Sequence, residues 1–121
     1  MRIYVINDNA ELVTLCQMVL EARGHEVETT TDASAVSAAV TRFQPDAIVL
    51  DWMLHDRTGG QVLQELQSTV LSPPPVLVML SLDVVGPEAQ RRGAMAFLRG
   101  PSTDEALIAA VEALVGGGDP G

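Results

Sequence analysis

Short apolar runs alternate with longer amphipathic stretches along the whole chain. Four of the runs are rich in Val, Ile, Leu and Met, and each ends at a polar residue, a glycine or a turn. Runs of this length and composition are typical of strands buried in a core. A fifth segment, residues 26–29, is more polar, as an edge strand can be. The predicted strands are residues 3–6, 26–29, 47–50, 76–80 and 94–98.

Between these strands, apolar residues recur at helical spacing. The first predicted helix covers residues 10–23 and is expected to end at Gly24, because glycine favours the backbone conformation that closes a helix. Four further helices are predicted near residues 34–43, 60–70, 84–92 and 102–114. The apolar stripe of the first helix, which we expect to face the core, consists of Leu12, Leu15, Cys16, Val19 and Leu20.

Five strands that each precede a helix predict an α/β fold. Apolar strands joined by crossover helices form a parallel sheet with helices on both faces. In such sheets, functional residues lie in the crevice beyond the carboxyl ends of the strands. The residues at these ends are Asn7, Asp8, Asp51, Ser81, Arg99 and Gly100.

Length and composition limit the classes of protein to consider. The 121 residues fit one domain, residues 1–115, with residues 116–121 as a glycine-rich tail or linker. No apolar run approaches the roughly 20 residues of a membrane span, so no membrane contact is expected. The start of the chain is too short and too β-branched for a signal peptide, and the single cysteine, Cys16, is expected in the core. Because a single cysteine cannot form an intrachain disulfide, we expect a reducing, cytoplasmic setting.

The charged residues exclude one class of partner. The net charge of −9 argues against direct binding of nucleic acid, which attracts basic surfaces. All seven basic residues are arginine, and the chain contains no lysine. His25 is expected to be a solvated loop residue rather than a ligand.

Asp8 and Asp51 are the candidate reactive residues. Two carboxylates in one crevice repel each other unless a cation neutralises them, and oxygen ligands on an open site suit Mg²⁺. An aspartate beside such a cation can act as a nucleophile towards phosphorus. The alternative is that both residues only cap strand ends.

Several blocks of the sequence resemble the receiver domains of bacterial response regulators. The resemblance extends from Ile3 to about Val115, and it implies a flavodoxin-like fold with five parallel strands in the order 2-1-3-4-5. The matching blocks are residues 3–9, 45–54, 59–60, 76–81, 93–94 and 97–101.

The resemblance also implies roles for particular residues. Asp51 would accept the phosphoryl group, and Asp8, Asp51 and the backbone carbonyl of Met53 would bind Mg²⁺. Asn7 would contribute weakly through a water molecule. Two further residues would respond to the phosphoryl group, Ser81 by a hydrogen bond and Phe97 by a change of rotamer.

The function implied is a phosphorylation-controlled switch in a two-component phosphorelay, not an enzyme. The partner would be a sensor histidine kinase or a phosphotransfer protein. A homodimer or an effector contact would use the surface formed by the fourth predicted helix, the fifth strand and the fifth predicted helix.

Four positions depart from the family pattern. Asn7 replaces an acidic residue, Gly100 replaces a lysine, Leu82 replaces a small residue and His55 replaces a proline. Arg99 could supply the missing cation only if the fifth strand ends or bulges before it, because adjacent strand residues point to opposite faces. These changes define an alternative, a degenerate receiver that signals by protein contact without phosphorylation, whereas the retained Asp8 and Asp51 favour the phosphorylated switch.

Overall fold

The computed structural model describes residues 1–51, 58–70, 74–80, 96–99 and 104–116. Within these ranges the chain forms five strands, four α-helices and one 3₁₀ turn (Ala33–Ala35). The strands are β1 (Arg2–Ile6), β2 (Glu26–Thr30), β3 (Ala47–Asp51), β4 (Val76–Leu80) and β5 (Ala96–Arg99). The helices are α1 (Ala10–Glu21), α2 (Val36–Phe43), α3 (Gly59–Thr69) and α4 (Asp104–Gly116).

Helix α4 corresponds to the fifth predicted helix, since residues 84–92 lie outside the described ranges. It includes Gly116, so the helix runs one residue past the domain boundary expected from the glycine-rich sequence. Helix α4 has 13 residues, and no helix in the described ranges is long and apolar enough to cross a membrane.

The strands form one parallel sheet in the order β2-β1-β3-β4-β5. This confirms the parallel sheet, the strand order and the edge position of β2. Strands β1 and β3 lie next to each other at the centre, with Ile6 opposite Leu50. Because the strands are parallel, their carboxyl ends share one edge of the sheet.

Helices cover both faces of the sheet, as predicted, and two of the described helices pack on each face. On one face, side chains of β1 and β3 such as Ile6 and Leu50 pack against α2 and α3. On the other face, Val5 and Val49 pack against α1 and α4. The alternation along each strand follows from the two-residue repeat of β structure.

The core is not solely aliphatic. Tyr4 and Phe43 are both buried, with ring centroids 6.4 Å apart in a tilted arrangement. Burial raises the pKa of the Tyr4 hydroxyl, and the negative charge of Glu28 adds to this effect. Two of the four aromatic residues of the chain therefore fill the space between β1 and α2.

The buried side of α1 differs from the one predicted. Cys16 and Leu20 are buried as expected, but the third buried residue is Val13. The prediction was wrong for Leu12 and Leu15, which are exposed. Each residue turns an α-helix by about 100°, so neighbours such as Leu12 and Val13 face different directions. Helix α1 is apolar on both sides, and periodicity alone could not select the buried one.

Local interactions determine where two of the helices begin. Asp32 and Ser34 are both candidate caps in the sequence. The structure selects Asp32, whose side chain accepts a hydrogen bond from the backbone of Ser34 and caps the 3₁₀ turn before α2. A reciprocal pair that the sequence analysis missed begins α3. The Thr58 hydroxyl oxygen accepts a hydrogen bond from the backbone N–H of Gln61 at 3.2 Å. The side-chain oxygen of Gln61 accepts one from the backbone N–H of Thr58 at 2.9 Å.

Candidate functional site

The carboxyl ends of β1, β3, β4 and β5 are aligned by the register of the sheet. Leu50, the residue before Asp51, lies opposite Ile6 at the end of β1. Asp51 itself lies opposite Met79, and Met79 lies opposite Leu98. Adjacent strands of a sheet are about 4.8 Å apart. The edge of the sheet thus places Asp51 next to the residues that follow Ile6.

The structure brings both predicted carboxylates to this edge. Asp51 is the last residue of β3 and is partly buried, while Asp8 is exposed, two residues beyond the end of β1. Leu50 faces α2 and α3, so strand alternation directs Asp51 to the opposite face, the one covered by α1 and α4. Asp8 and Asp51 therefore both lie at the carboxyl edge of the sheet.

Asn7 organises the loop between β1 and α1. Its side chain is only 4% exposed, and its backbone N–H donates to the carbonyl of Thr30 at 3.2 Å. Its carboxamide oxygen accepts a hydrogen bond from the backbone N–H of Asn9 at 2.9 Å. Asn9 in turn caps α1 by accepting from the N–H groups of Glu11 and Leu12. The two asparagines position Asp8 between them, a role the sequence analysis missed.

Several predicted site residues lie outside the described ranges. These are Met53, His55, Ser81, Leu82 and Gly100.

Phe97 and Arg99 do lie within the described fold. Phe97 is in β5, opposite Val78 of β4. Arg99 is the last residue of β5, opposite Leu80, so the strand does not end before it. The condition under which Arg99 could replace the family lysine is therefore not met.

The donors present suit Mg²⁺. The ion takes hard oxygen ligands, retains several waters and needs only one or two carboxylates from the protein. Asp8 and Asp51 supply two carboxylates at one edge. Across the part of the chain that is described, no three His, Cys, Asp or Glu side chains gather as they would around a more fully chelated ion.

A second polar cluster lies at the opposite end of the molecule. His25 Nε2 is 3.0 Å from Glu112 Oε2, and His25 Nδ1 is 3.2 Å from the amino group of Met1. Arg23 donates two hydrogen bonds to Glu112, at 3.1 and 3.3 Å. The hydrogen bonds from Arg23 lower the pKa of the Glu112 carboxyl most, and the hydrogen bond from His25 lowers it further.

The His25 side chain is only 11% exposed, so its prediction as a solvated residue was wrong. The amino group of Met1, just before β1, and the carboxylate of Glu112 in α4 enclose it, and both are distant from His25 in sequence. No local pattern could have indicated them.

Comparison with known proteins agrees with the fold. The family model for the response regulator receiver domain matches residues 3–112. The chain therefore belongs to the response regulator receiver family, as the resemblance implied.

Relatives agree with this family, and a solved structure agrees with the fold. The chain is 37% identical over 84 residues to the probable transcriptional regulatory protein TcrX of Mycobacterium tuberculosis, covering 69% of this chain and 35% of the relative. It is 32% identical to the DNA-binding dual master transcriptional regulator RpaA of Synechocystis, covering 94% and 48%. The receiver domain of Francisella response regulator 1452 has the same fold, with a TM-score of 0.87, 22% identity and 98% coverage of both chains.

The chain spans about half or less of the length of the two transcriptional regulators named above. The match corresponds to a receiver domain, a signalling module. The regulators' activity on DNA is a property of those proteins.

Proposed function

We propose that this domain is a phosphorylation-controlled switch of a two-component phosphorelay and that Asp51 accepts the phosphoryl group. The observation that supports this most directly is the position of Asp51. It is a partly buried carboxylate at the carboxyl end of the central strand β3, beside the segment that positions Asp8. A nucleophile at the end of a rigid strand is held in place without the entropic cost of ordering a loop.

The reaction is a transfer of one phosphoryl group. A carboxylate oxygen of Asp51 attacks the phosphorus of the donor, and the bond between phosphorus and the leaving atom breaks. The leaving group retains that electron pair, and Asp51 becomes an acyl phosphate. Mg²⁺, when bound, neutralises charge on the transferred group. Asp8 and Asp51 would hold the ion and, following the family pattern, so would the backbone carbonyl of Met53.

The phosphoryl donor would be a sensor histidine kinase, a phosphotransfer protein or a small acyl phosphate, in the cytoplasm. Helix α1 offers a surface for a protein donor, because Leu12, Leu15 and Met18 are exposed on it. The helix begins two residues after Asp8, so a protein bound there would lie next to the acidic edge. Helix α1 contains no basic residue, and a partner with basic residues around an apolar stripe would complement it.

A response to phosphorylation would pass through Ser81 and Phe97 to the surface formed by the fourth predicted helix, β5 and α4. A homodimer or an effector would bind this surface. The relatives that resemble this chain include transcriptional regulators. The net charge of −9 makes direct DNA binding by this domain unfavourable, so an effector on the same or another chain would bind DNA.

One observation favours a second candidate, a degenerate receiver that signals without phosphate. Asn7 occupies the position of a family acid, and the family lysine is absent. Fewer charges at the site weaken both Mg²⁺ binding and neutralisation of the phosphoryl group. The two candidates differ in a single measurable property, the phosphorylation of Asp51.

The test is mass spectrometry after incubation with acetyl phosphate and Mg²⁺. We expect one added phosphoryl group, located on Asp51 by peptide mapping, and none without Mg²⁺. The Asp51→Asn variant should remain unlabelled, since the amide is not a nucleophile at this site. Asp46→Asn is the matched control, because asparagine can accept the same hydrogen bond from the backbone N–H of Arg2 and Asp46 precedes β3, at the opposite edge of the sheet. An unlabelled parent protein would support the degenerate receiver, and a labelled Asp51→Asn variant would point to another acceptor.

A further inference from the structure

Apart from Tyr4 with its hydroxyl group, Asn7 is the only buried polar side chain in the part of the chain that the structure describes, with 4% of its surface exposed. It lies at the edge that holds Asp51, where the family pattern has an acid. A buried polar group needs hydrogen-bond partners, because its transfer from water is otherwise costly. The partners of Asn7 therefore indicate what the residue does.

The hydrogen bond to Asn9 fixes the orientation of the Asn7 carboxamide. A backbone N–H can only donate, so the Asn7 atom at 2.9 Å from it is the oxygen and not the nitrogen. The NH₂ group must then point away from the loop. Both the backbone and the carboxamide oxygen of Asn7 are anchored, which leaves its side chain little rotational freedom.

The NH₂ group has no acceptor among the described residues, although Asn7 is almost completely buried. Within those same ranges no fully buried side-chain nitrogen or oxygen lacks a partner, so the nitrogen is accessible to solvent. An anchored amide with two free N–H donors at the edge of the sheet is suited to bind an anion's oxygens.

Asn7 and Asp51 occupy neighbouring positions on the sheet. Each directly follows a member of the register pair Ile6 and Leu50. Both members of that pair face α2 and α3. Asn7 continues the line of β1, since its backbone N–H still bonds to Thr30 of β2, so alternation directs both Asn7 and Asp51 to the other face. The donors of Asn7 and the carboxylate of Asp51 are thus on the same side of the sheet, on adjacent strands.

We propose that Asn7 is a phosphoryl-binding residue, whose NH₂ group donates a hydrogen bond to the phosphoryl oxygens on Asp51. This inference rests on the proposed function, since it requires Asp51 to be phosphorylated. Asn7 takes over part of the role of a cation in a chain that has no lysine. It also keeps a third carboxylate out of the crevice, which reduces the repulsion between Asp8 and Asp51 when no metal is bound.

The test uses two ligands, Mg²⁺ alone and beryllofluoride as a mimic of the phosphoryl group at saturating Mg²⁺. The chain has one tryptophan, Trp52, directly after Asp51, and its fluorescence can report both titrations. Asn7→Asp keeps the oxygen that accepts from Asn9, removes the NH₂ group and adds a charge. Asn7→Ala removes the NH₂ group without adding a charge.

For Asn7→Asp we expect opposite changes, with tighter Mg²⁺ binding and weaker beryllofluoride binding. For Asn7→Ala we expect Mg²⁺ affinity close to that of the parent and beryllofluoride affinity lower by roughly tenfold to a hundredfold, the usual effect of losing a hydrogen bond to a charged group. If the only effect of Asn7 were the loss of a metal-binding acid, Asn7→Asp would improve the affinities for both Mg²⁺ and beryllofluoride. That result, or an Asn7→Ala variant with the parent's beryllofluoride affinity, would overturn the inference.

Asn9→Ala is the control for loosening of the loop. It removes the cap of α1 but leaves Asn7 and the backbone N–H of residue 9 in place. Its beryllofluoride affinity should stay near that of the parent, and a loss as large as that of Asn7→Ala would assign the effect to the loop and reject the inference. A parent protein whose response to beryllofluoride does not depend on Asp51 would instead reject the proposed function, and the inference with it.

Discussion

At the scale of single residues, Glu112 connects parts of the chain that are distant in sequence. Its carboxylate accepts hydrogen bonds from Arg23, in the loop after α1, and contacts His25, which precedes β2. Helix α4 is therefore held against the amino end of the sheet by charge, in addition to the buried Leu107 and Val111. The strength of this attachment depends on the ionisation of Glu112.

We predict that Glu112 contributes to the loss of stability in acid. Its pKa is lower in the folded protein than its ordinary value of 4.5, because Arg23 and His25 stabilise the charged form. A lowered pKa gives stability that is present above the unfolded value and is lost as the pH falls through the folded value. Urea unfolding at a series of pH values should show Glu112→Gln less stable than the parent at neutral pH, with the difference shrinking below about pH 4.5.

Glu105→Gln is the control for this prediction, since Glu105 is exposed on the same helix and forms no ion pair with any described residue. The free energy of unfolding of Glu105→Gln should match that of the parent at every pH. A Glu112→Gln curve that runs parallel to that of the parent down to low pH would show that the cluster contributes nothing to acid sensitivity.

At the scale of secondary structure, α1 shows what a hydrophobic pattern leaves open. Leu15 and Leu20 were predicted to share one buried stripe, yet Leu20 is 0% exposed and Leu15 is 47% exposed. Both are leucines in the same helix, which makes them a matched pair for measuring the effect of burial alone. The comparison also tests the orientation of α1 on the sheet.

We predict that Leu20→Ala lowers the free energy of unfolding by about 2–5 kcal/mol, the usual range for a buried leucine. Leu15→Ala should lower it by about 0.5 kcal/mol or less, as for surface substitutions. Urea unfolding measures both values, provided the slope with denaturant is unchanged. The reverse order of effects would mean that α1 is rotated relative to its position in the structure.

The elements that the sequence predicted well are those with little ambiguity. Strands such as β3, buried on both faces, stand out as continuous apolar runs, and the turn at Asp32 has a local capping signal. The edge residues Asp8 and Asp51 followed from the rule for parallel sheets. What local patterns could not supply are interactions between distant residues, such as that of His25 with Glu112, and the orientation of the Asn7 carboxamide.

At the scale of the whole molecule, electrostatic repulsion opposes folding. A net charge of −9 on 121 residues means that compaction brings like charges together, and dissolved salt reduces this cost by screening. Asp8 and Asp51 add a local form of the same repulsion at one edge of the sheet. Any stabilisation by Mg²⁺ therefore has two sources, general screening and binding at that edge, which an experiment must separate.

We predict that MgCl₂ stabilises the domain more than NaCl at equal ionic strength. An ion that binds only the folded state stabilises it by about 2.7 kcal/mol at a hundred times its dissociation constant, whereas screening depends on ionic strength alone. Asp8→Asn should remove this extra stabilisation and, in the presence of EDTA, should unfold at a higher urea concentration than the parent, because one of two repelling carboxylates is gone. Equal responses of the parent and Asp8→Asn to MgCl₂ would mean that the ion acts only by screening, and Asp8 would then have no role in holding it.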